Sequence, residues 1–345
     1  MTRIPMTRGA GRGDVMSNNG KDDNDRAEGL RPILELLPPL PPRPKPNYPH
    51  LDRLDEFVSA DDDPTGIVYQ HSVLCQTFLP YRDPGPDTRT WERSNGFLNL
   101  KVVAGDSVDP ATGDFVAVGM PFGPKARLVL YHLNAEALRT RSPVIELAAS
   151  LTKFVRRTLR LSGDGRTIAS VKDQLTRLAA ADFRVLMRKG DEAHVLKGTF
   201  VERFSLWAPR DGRGGDRAPT TVQLSQPYFE SLLHRAVPLN ESAVWCLSHN
   251  AMAMDIYAWL AQRLHRIDPE KGDVLVPWPR LREQFGAGYR ELWKFRQVFK
   301  PTLAQVHAVY REARFDVDGR GITLRCSRPP LARRLVTVRP AGPHR

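Results

Sequence analysis

Two stretches of this chain repeat the same order of elements, namely helix, strand, helix, helix and two-stranded hairpin, and that repeat restricts the fold more than any other feature. In the first stretch PKARLVLYHLNAEALRTR reads as a helix, PVIEL as a short strand, SLTKFVRRTLRL and TIASVKDQLTRLAAA as two further helices, and FRVLMRKGDEAHVLKGTFVERFSLW as a hairpin. In the second, SHNAMAMDIYAWLAQRLHRI, DVLVPW, WPRLREQFG, ELWKFRQVFKPTLAQVHAVY and ARFDVDGRGITLRC follow in the same order. This is the order of a winged helix. Apolar spacing carries the helix assignments: Ile168, Val171, Leu175 and Leu178 share one face, with Thr167 as the expected N-cap. Leu292, Phe295, Phe299, Leu303 and Val306 form the equivalent stripe in the second copy. Pro301 lacks a backbone donor and predicts two helical pieces meeting near Lys300.

Around these copies the texture changes. IVYQHSVLCQTFLP and FLNLKVVAG read as strands of a small sheet, separated by a turn region YRDPGPDTRTWERSNG. APRDGRGGDRAPT and TTVQLSQPYFESLLHRAVPLNES connect the copies, and eight prolines between Pro32 and Pro49 mark an extended N-terminal segment. The expected class is α+β: two tandem winged-helix domains preceded by a small β segment and a disordered Pro-rich arm. The boundaries are 1–50 for the arm, 51–118 for a β-rich extension that opens with a brief helix at Leu51–Ser59, and 119–208 for the first winged helix. A linker at 209–219, the second winged helix at 220–329 and a basic tail at 330–345 complete the 345 residues, a length that suits two domains with tails.

Charge names the kind of partner. Of the net +12, residues 1–64 hold 9 Lys/Arg against 12 Asp/Glu, leaving 42 against 27 and a net +15 for residues 65–345. Such an excess suits a polyanion, because Lys and Arg neutralise phosphates and release condensed counterions. No segment approaches the roughly 18 consecutive apolar residues of a membrane span, and MTRIPMTRGAGRGD lacks the apolar core of a signal peptide, so a cytoplasmic protein with no membrane partner is expected. Cys75, Cys246 and Cys326 are far apart, form no C-x-x-C pair and read as buried free thiols.

In helix-turn-helix proteins the recognition helix enters the major groove, where long polar side chains read base edges. Arg166, Ser170, Lys172 and Arg177 occupy that element in the first copy, and Arg290, Lys294, Gln297 and Lys300 in the second, the last flanked by Arg296. The hairpins add Arg188, Lys189 and Lys197, then Arg314, Arg320 and Arg325, suited to flanking phosphates. For one amphipathic helix the plain reading is a solvated face; recurrence of the basic face on the same element of both copies favours contact with duplex DNA. Asp173 on the same face either accepts from cytosine or, the reading preferred on charge placement, supports the helix start through its dipole. Two linked modules also raise effective concentration over what one weak module achieves.

Enzyme readings fall away on spacing. None of the nine His residues forms the H-x-H pair of a rolling-circle endonuclease, and no G-x-x-x-x-G-K-[ST] loop is present. GAGRG and the pair Gly286, Gly288 lack the strand-turn-helix context of a dinucleotide site. Asp61–Asp63 sit in a polar stretch, while Asp316 and Asp318 lie in VDGRG, the signature of a tight hairpin tip. No catalytic residue, metal or cofactor is expected.

The stretches FLPYRDP, WERSNGFLNLKVVAG, PFGPKARLVLYHLNAEALRTRS, VKDQLTRLAAADF, VPLN, AMAMDIYAWLAQRL, WPRLREQFG and AVYREARFDV, spread in order from Phe78 to Pro330, resemble the plasmid-encoded RepA replication initiators. The resemblance implies a bacterial, non-catalytic protein that binds repeated sites at a plasmid origin, promotes opening of the duplex and recruits host replication proteins such as the initiator and helicase. It also allows a homodimer in which one winged helix serves dimerisation. Pro301 departs from the continuous helix of the family. A transcriptional or partition regulator is the alternative on the same fold, because a fold does not fix a function.

Overall fold

The two helices that open the copies, α1 (Gly123–Thr140) and α6 (Ala251–Arg263), pack on each other, and Ala251 through Gln262 are all buried. A helix enclosed on every side belongs to a core shared by its neighbours. Arg127 of α1 reaches across to Asp255 of α6 with Nε–Oδ1 at 2.7 Å and Nη2–Oδ2 at 2.6 Å. The same guanidinium donates to the carbonyls of Leu79, Pro80 and Gly123, so both buried charges are paired and hydrogen-bonded, the condition under which burial of charge is tolerated. Burial pushes the Asp255 carboxyl up to about 6, against the opposing pull of Arg127.

The computed structural model describes residues 66–109, 112–148, 150–189, 192–204, 221–286 and 288–331, and these form an α+β fold of eight α-helices and several small sheets. The Pro-rich arm, the helix expected at Leu51–Ser59, the 209–219 linker and residues 332–345 of the tail lie outside the described residues. Among the described residues no helix is long and apolar enough to cross a membrane.

The second copy follows the expected order closely. After α6 come β12 (Val274–Pro277), α7 (Trp278–Phe285), α8 (Leu292–Val309), β13 (Phe315–Val317) and β14 (Gly321–Leu324). The three strands form one antiparallel sheet in the order β12-β14-β13, with Ile322 opposite both Val276 and Val317. Beneath it Trp278, Phe285, Phe295 and Phe299 are fully buried, with Phe299 centred 5.0 Å from Phe295 and 5.3 Å from Phe285. A Cβ on Gly286 would meet the Phe295 ring at 2.4 Å, so the turn between α7 and α8 needs a glycine there.

The expected break at Pro301 does not occur: α8 runs as one 18-residue helix with Pro301 inside it. A proline in a helix interior costs about 3 kcal/mol. Phe295 and Phe299 before it, and Leu303 and Val306 after it, are all buried and contribute roughly 1.5–3 kcal/mol each, so packing on both sides holds the helix continuous. Pro301 itself is exposed, and Thr302 Oγ1 donates to the Val298 carbonyl at 2.8 Å. Leu292 is only half-buried, so the stripe starts one turn later than expected.

The first copy has the expected element order but a different sheet. After α1 come β6 (Val144–Glu146), α2 (Leu151–Lys153) running into a π-helical turn at Phe154–Thr158, α3 (Gly165–Ala180), β7 (Asp182–Lys189) and β8 (Glu192–Thr199). Strand β6 does not join that hairpin. It pairs with β10 (Thr221–Leu224), which pairs in turn with β9 (Val201–Phe204). The hairpin instead extends β2 (Thr90–Ser94) and β3 (Leu98–Val103) into a four-stranded antiparallel sheet, β2-β3-β7-β8. Leu98, Leu100 and Val102 alternate inward against Phe183, Val185 and Met187, whose apolar face a two-stranded hairpin alone would leave half covered.

Several local expectations are corrected. TWERS, placed in a turn region, forms β2. IVYQH forms β1 (Ile67–His71), which pairs with β11 (Ala236–Asn240) and not with FLNLKVV. A hairpin of β4 (Asp106–Val108) and β5 (Phe115–Ala117) lies against α3 and had no sequence counterpart. The N-cap of α3 is Asp164, not Thr167: its carboxylate accepts from the Thr167 backbone and hydroxyl, both at 2.9 Å, and the Ser162 hydroxyl, followed by these Thr167 donors, holds it below the usual carboxylate range. Of the three thiols Cys75 is buried, while Cys246 is exposed and Cys326 intermediate.

Candidate nucleic-acid interface

In the second copy the buried stripe of α8 fixes which side chains face outward. Lys294, Gln297 and Lys300 are exposed on the helix, and Arg290 is exposed just before it, with its carbonyl accepting from Arg282 Nη1 at 3.0 Å. The wing tip is built by Asp318, whose carboxylate accepts from the backbone of Arg320 at 2.8 Å and of Gly321 at 3.0 Å; these donors hold it below the ordinary carboxylate range. That settles VDGRG as a turn and leaves the Arg320 guanidinium at the tip, paired with Asp318 at 3.1 Å and mostly exposed. Arg296 serves structure: it lies over the Trp278 ring at 5.1 Å and donates to the Gly319 carbonyl at 3.3 Å, tying helix to wing. Arg314 is exposed, whereas Arg325 is held between Asp273 and Asp316.

The equivalent helix of the first copy is more occupied. Arg166 and Lys172 are exposed, Ser170 is half-buried, and Arg177 is drawn inward. Its Nε donates to Asp173 at 2.9 Å and its Nη1 to the Met120 carbonyl at 3.1 Å, with Asp83 at 3.4 Å and the Phe122 ring 5.1 Å away. Asp173 therefore positions Arg177 and Gln174, the latter at 2.9 Å, instead of supporting the helix start. With three acceptors and a ring around it, Arg177 fastens α3 to the segments before α1.

The hairpin residues fall on the outer face of the four-stranded sheet. Arg188 and Lys197 are exposed; the backbone of Lys189 pairs with Glu192. The register also brings together residues that sequence reasoning missed: Lys101, Arg184 and Lys197 stand opposite one another on three adjacent strands. Glu92 offsets part of this row through a 2.8 Å contact with Lys101. The alternation in LNLKVV and FRVLMRK puts both missed residues on the polar side of their strands, but only the pairing of β3 with β7 makes them neighbours.

Residues 120–278 match the family described as plasmid encoded RepA protein, a span from just before α1 to the first residue of α7. No curated protein matches the sequence. Two solved structures show likeness: a selenomethionine derivative of domains 2 and 3 of RctB, at 10% identity and a TM-score of 0.45 over 72% of this chain and 94% of that one, and a second crystal structure of RctB domains 2–3, at 13% identity and 0.42 over 74% and 97%. Over residues 120–278 the chain is similar to the family of plasmid-encoded RepA proteins.

Proposed function

We propose that this protein is a plasmid replication initiator that binds repeated duplex sites at an origin through two winged-helix units and acts by binding, without catalysis. The observation that carries the reading is α8: a helix locked by four buried apolar side chains, with Arg290, Lys294, Gln297 and Lys300 exposed on and just before it and Arg320 at the adjoining wing tip. Lys and Arg suit guanine and Gln suits adenine in the major groove, while the wing arginine suits phosphate. Arg166 and Lys172 on α3, with Arg184, Arg188 and Lys197 on the sheet face, extend the basic surface into the first copy, where we assign them phosphate contacts. Opening of neighbouring duplex then draws on binding free energy, since bending a site costs about 1–6 kcal/mol. Recruitment of host replication proteins completes the proposed role.

The test is selection of duplexes from a random-sequence pool, followed by a salt titration of the selected duplex. The expected result is one recurring site, bound with log affinity falling by about 0.9 per log unit of salt for each phosphate neutralised. A pool without enrichment, or a flat salt dependence, would contradict the proposal.

A further inference from the structure

Trp293 is the side chain that the groove-reading proposal leaves unexplained. It is 59% exposed, the most exposed tryptophan among the described residues. The others are engaged: Trp91 donates to the Phe78 carbonyl at 2.9 Å, Trp245 to Arg160 at 3.0 Å and Trp278 to Asp318 at 3.0 Å, while Trp259 is buried against Phe285. Trp293 has the Lys294 ammonium beside its ring, 5.4 Å from the centroid. Leaving a large indole in water forgoes burial worth roughly 1.5–3 kcal/mol, which an occupant of its exposed face would recover.

Position and charge identify that occupant. Trp293 is the second residue of α8, and the first turn of a recognition helix reaches deepest into the groove. Helical side chains lean toward the N-terminus, which sets the indole beside Arg290, with Gln297 one turn further along the same side. The exposed surroundings are Arg290, Lys294 and Gln297, with Glu291 as the acidic exception, a setting for polyanion and not for an apolar protein face. In the major groove one base offers an apolar group, the 5-methyl of thymine. We infer that Trp293 is a specificity-determining residue whose indole face packs on a thymine methyl next to the base read by Arg290 or Lys294. This rests on the reading of α8 as the groove helix.

The experiment uses the full chain and a duplex selected from the random pool, with each thymine replaced in turn by deoxyuridine, which removes only the methyl. Wild type should lose about three- to fivefold in affinity at one or two positions, the worth of one buried methyl. Trp293→Ala should bind thymine and uracil duplexes equally, and Trp293→Phe should keep part of the difference. Uracil duplexes that bind wild type as well as thymine at every position, or a Trp293→Ala variant that still discriminates, would overturn the assignment while leaving the groove reading intact. Wild type without any sequence-selective binding would sink the groove reading itself. If the alanine variant fails a thermal unfolding check, the wild-type uracil scan and the phenylalanine variant decide the question.

Discussion

The two copies share an order of elements and differ in how their strands are satisfied. In the second, β12, β14 and β13 all come from within residues 274–324 and close on one another. In the first, β6 is taken by β10 and the β7–β8 hairpin is completed by β2 and β3. The consequence reaches the candidate interface. The copy that closes locally leaves its third helix free on one side, whereas the copy that recruits outside segments has its third helix bound by them, through Arg177 and the β4–β5 hairpin. Equivalent elements are therefore not equivalent in availability.

The largest effect is expected where the copies meet. Arg127→Met strands a buried Asp255 and should lower stability by about 3–5 kcal/mol in urea unfolding, and Arg127→Met with Asp255→Leu should recover most of that. One cooperative transition is expected in the parent protein, because α1 and α6 share a core. Two separate steps, with the second copy surviving alone, would break the view that the copies are one unit.

A smaller effect concerns β1, which packs on α1 of the first copy. His71 on β1 is buried, lies 2.9 Å from Ser231 Oγ through Nε2, and accepts from the Val73 backbone through Nδ1. Burial, and then Arg235, lower it to about 3, so it is neutral in the folded protein, while the unfolded chain takes up a proton near pH 6.5. Its stabilising contribution is complete above pH 6.5 and is lost as pH falls toward 3. The stability advantage of wild type over His71→Gln should narrow by about 2 kcal/mol between pH 7 and pH 5. An advantage independent of pH would show that the β1–β11 pair is peripheral to the first copy.

The same contrast explains what was legible in the sequence. The second copy could be read almost element by element, since its strands, its DG turn and its aromatic stripe are neighbours in sequence. Pro301 signals a break by its local backbone chemistry, but the burial of Phe299, Leu303 and Val306, which depends on packing partners elsewhere, keeps the helix continuous. In the first copy, the helices followed their periodicity, but strand partners did not: TWERS lies among turn-forming residues, and nothing local tells β6 to choose Thr221–Leu224. The candidate site followed suit. Lys294, Gln297 and Lys300 stand where the stripe of α8 predicts, whereas Arg177 is claimed by Met120 and Asp83, residues remote in sequence.

The central claim is that α8 reads base sequence while α3 and its sheet contact phosphate. It is tested most directly by comparing Arg290→Ala/Lys294→Ala with Arg166→Ala/Lys172→Ala in the same random-duplex selection and binding assay. The first pair should lose roughly tenfold or more on the selected site and relax base preference at the positions it contacts; the second should weaken all duplexes alike and reduce the salt slope by about two. Relaxed base preference in the Arg166/Lys172 variant, with an unchanged profile in the Arg290/Lys294 variant, would contradict the account.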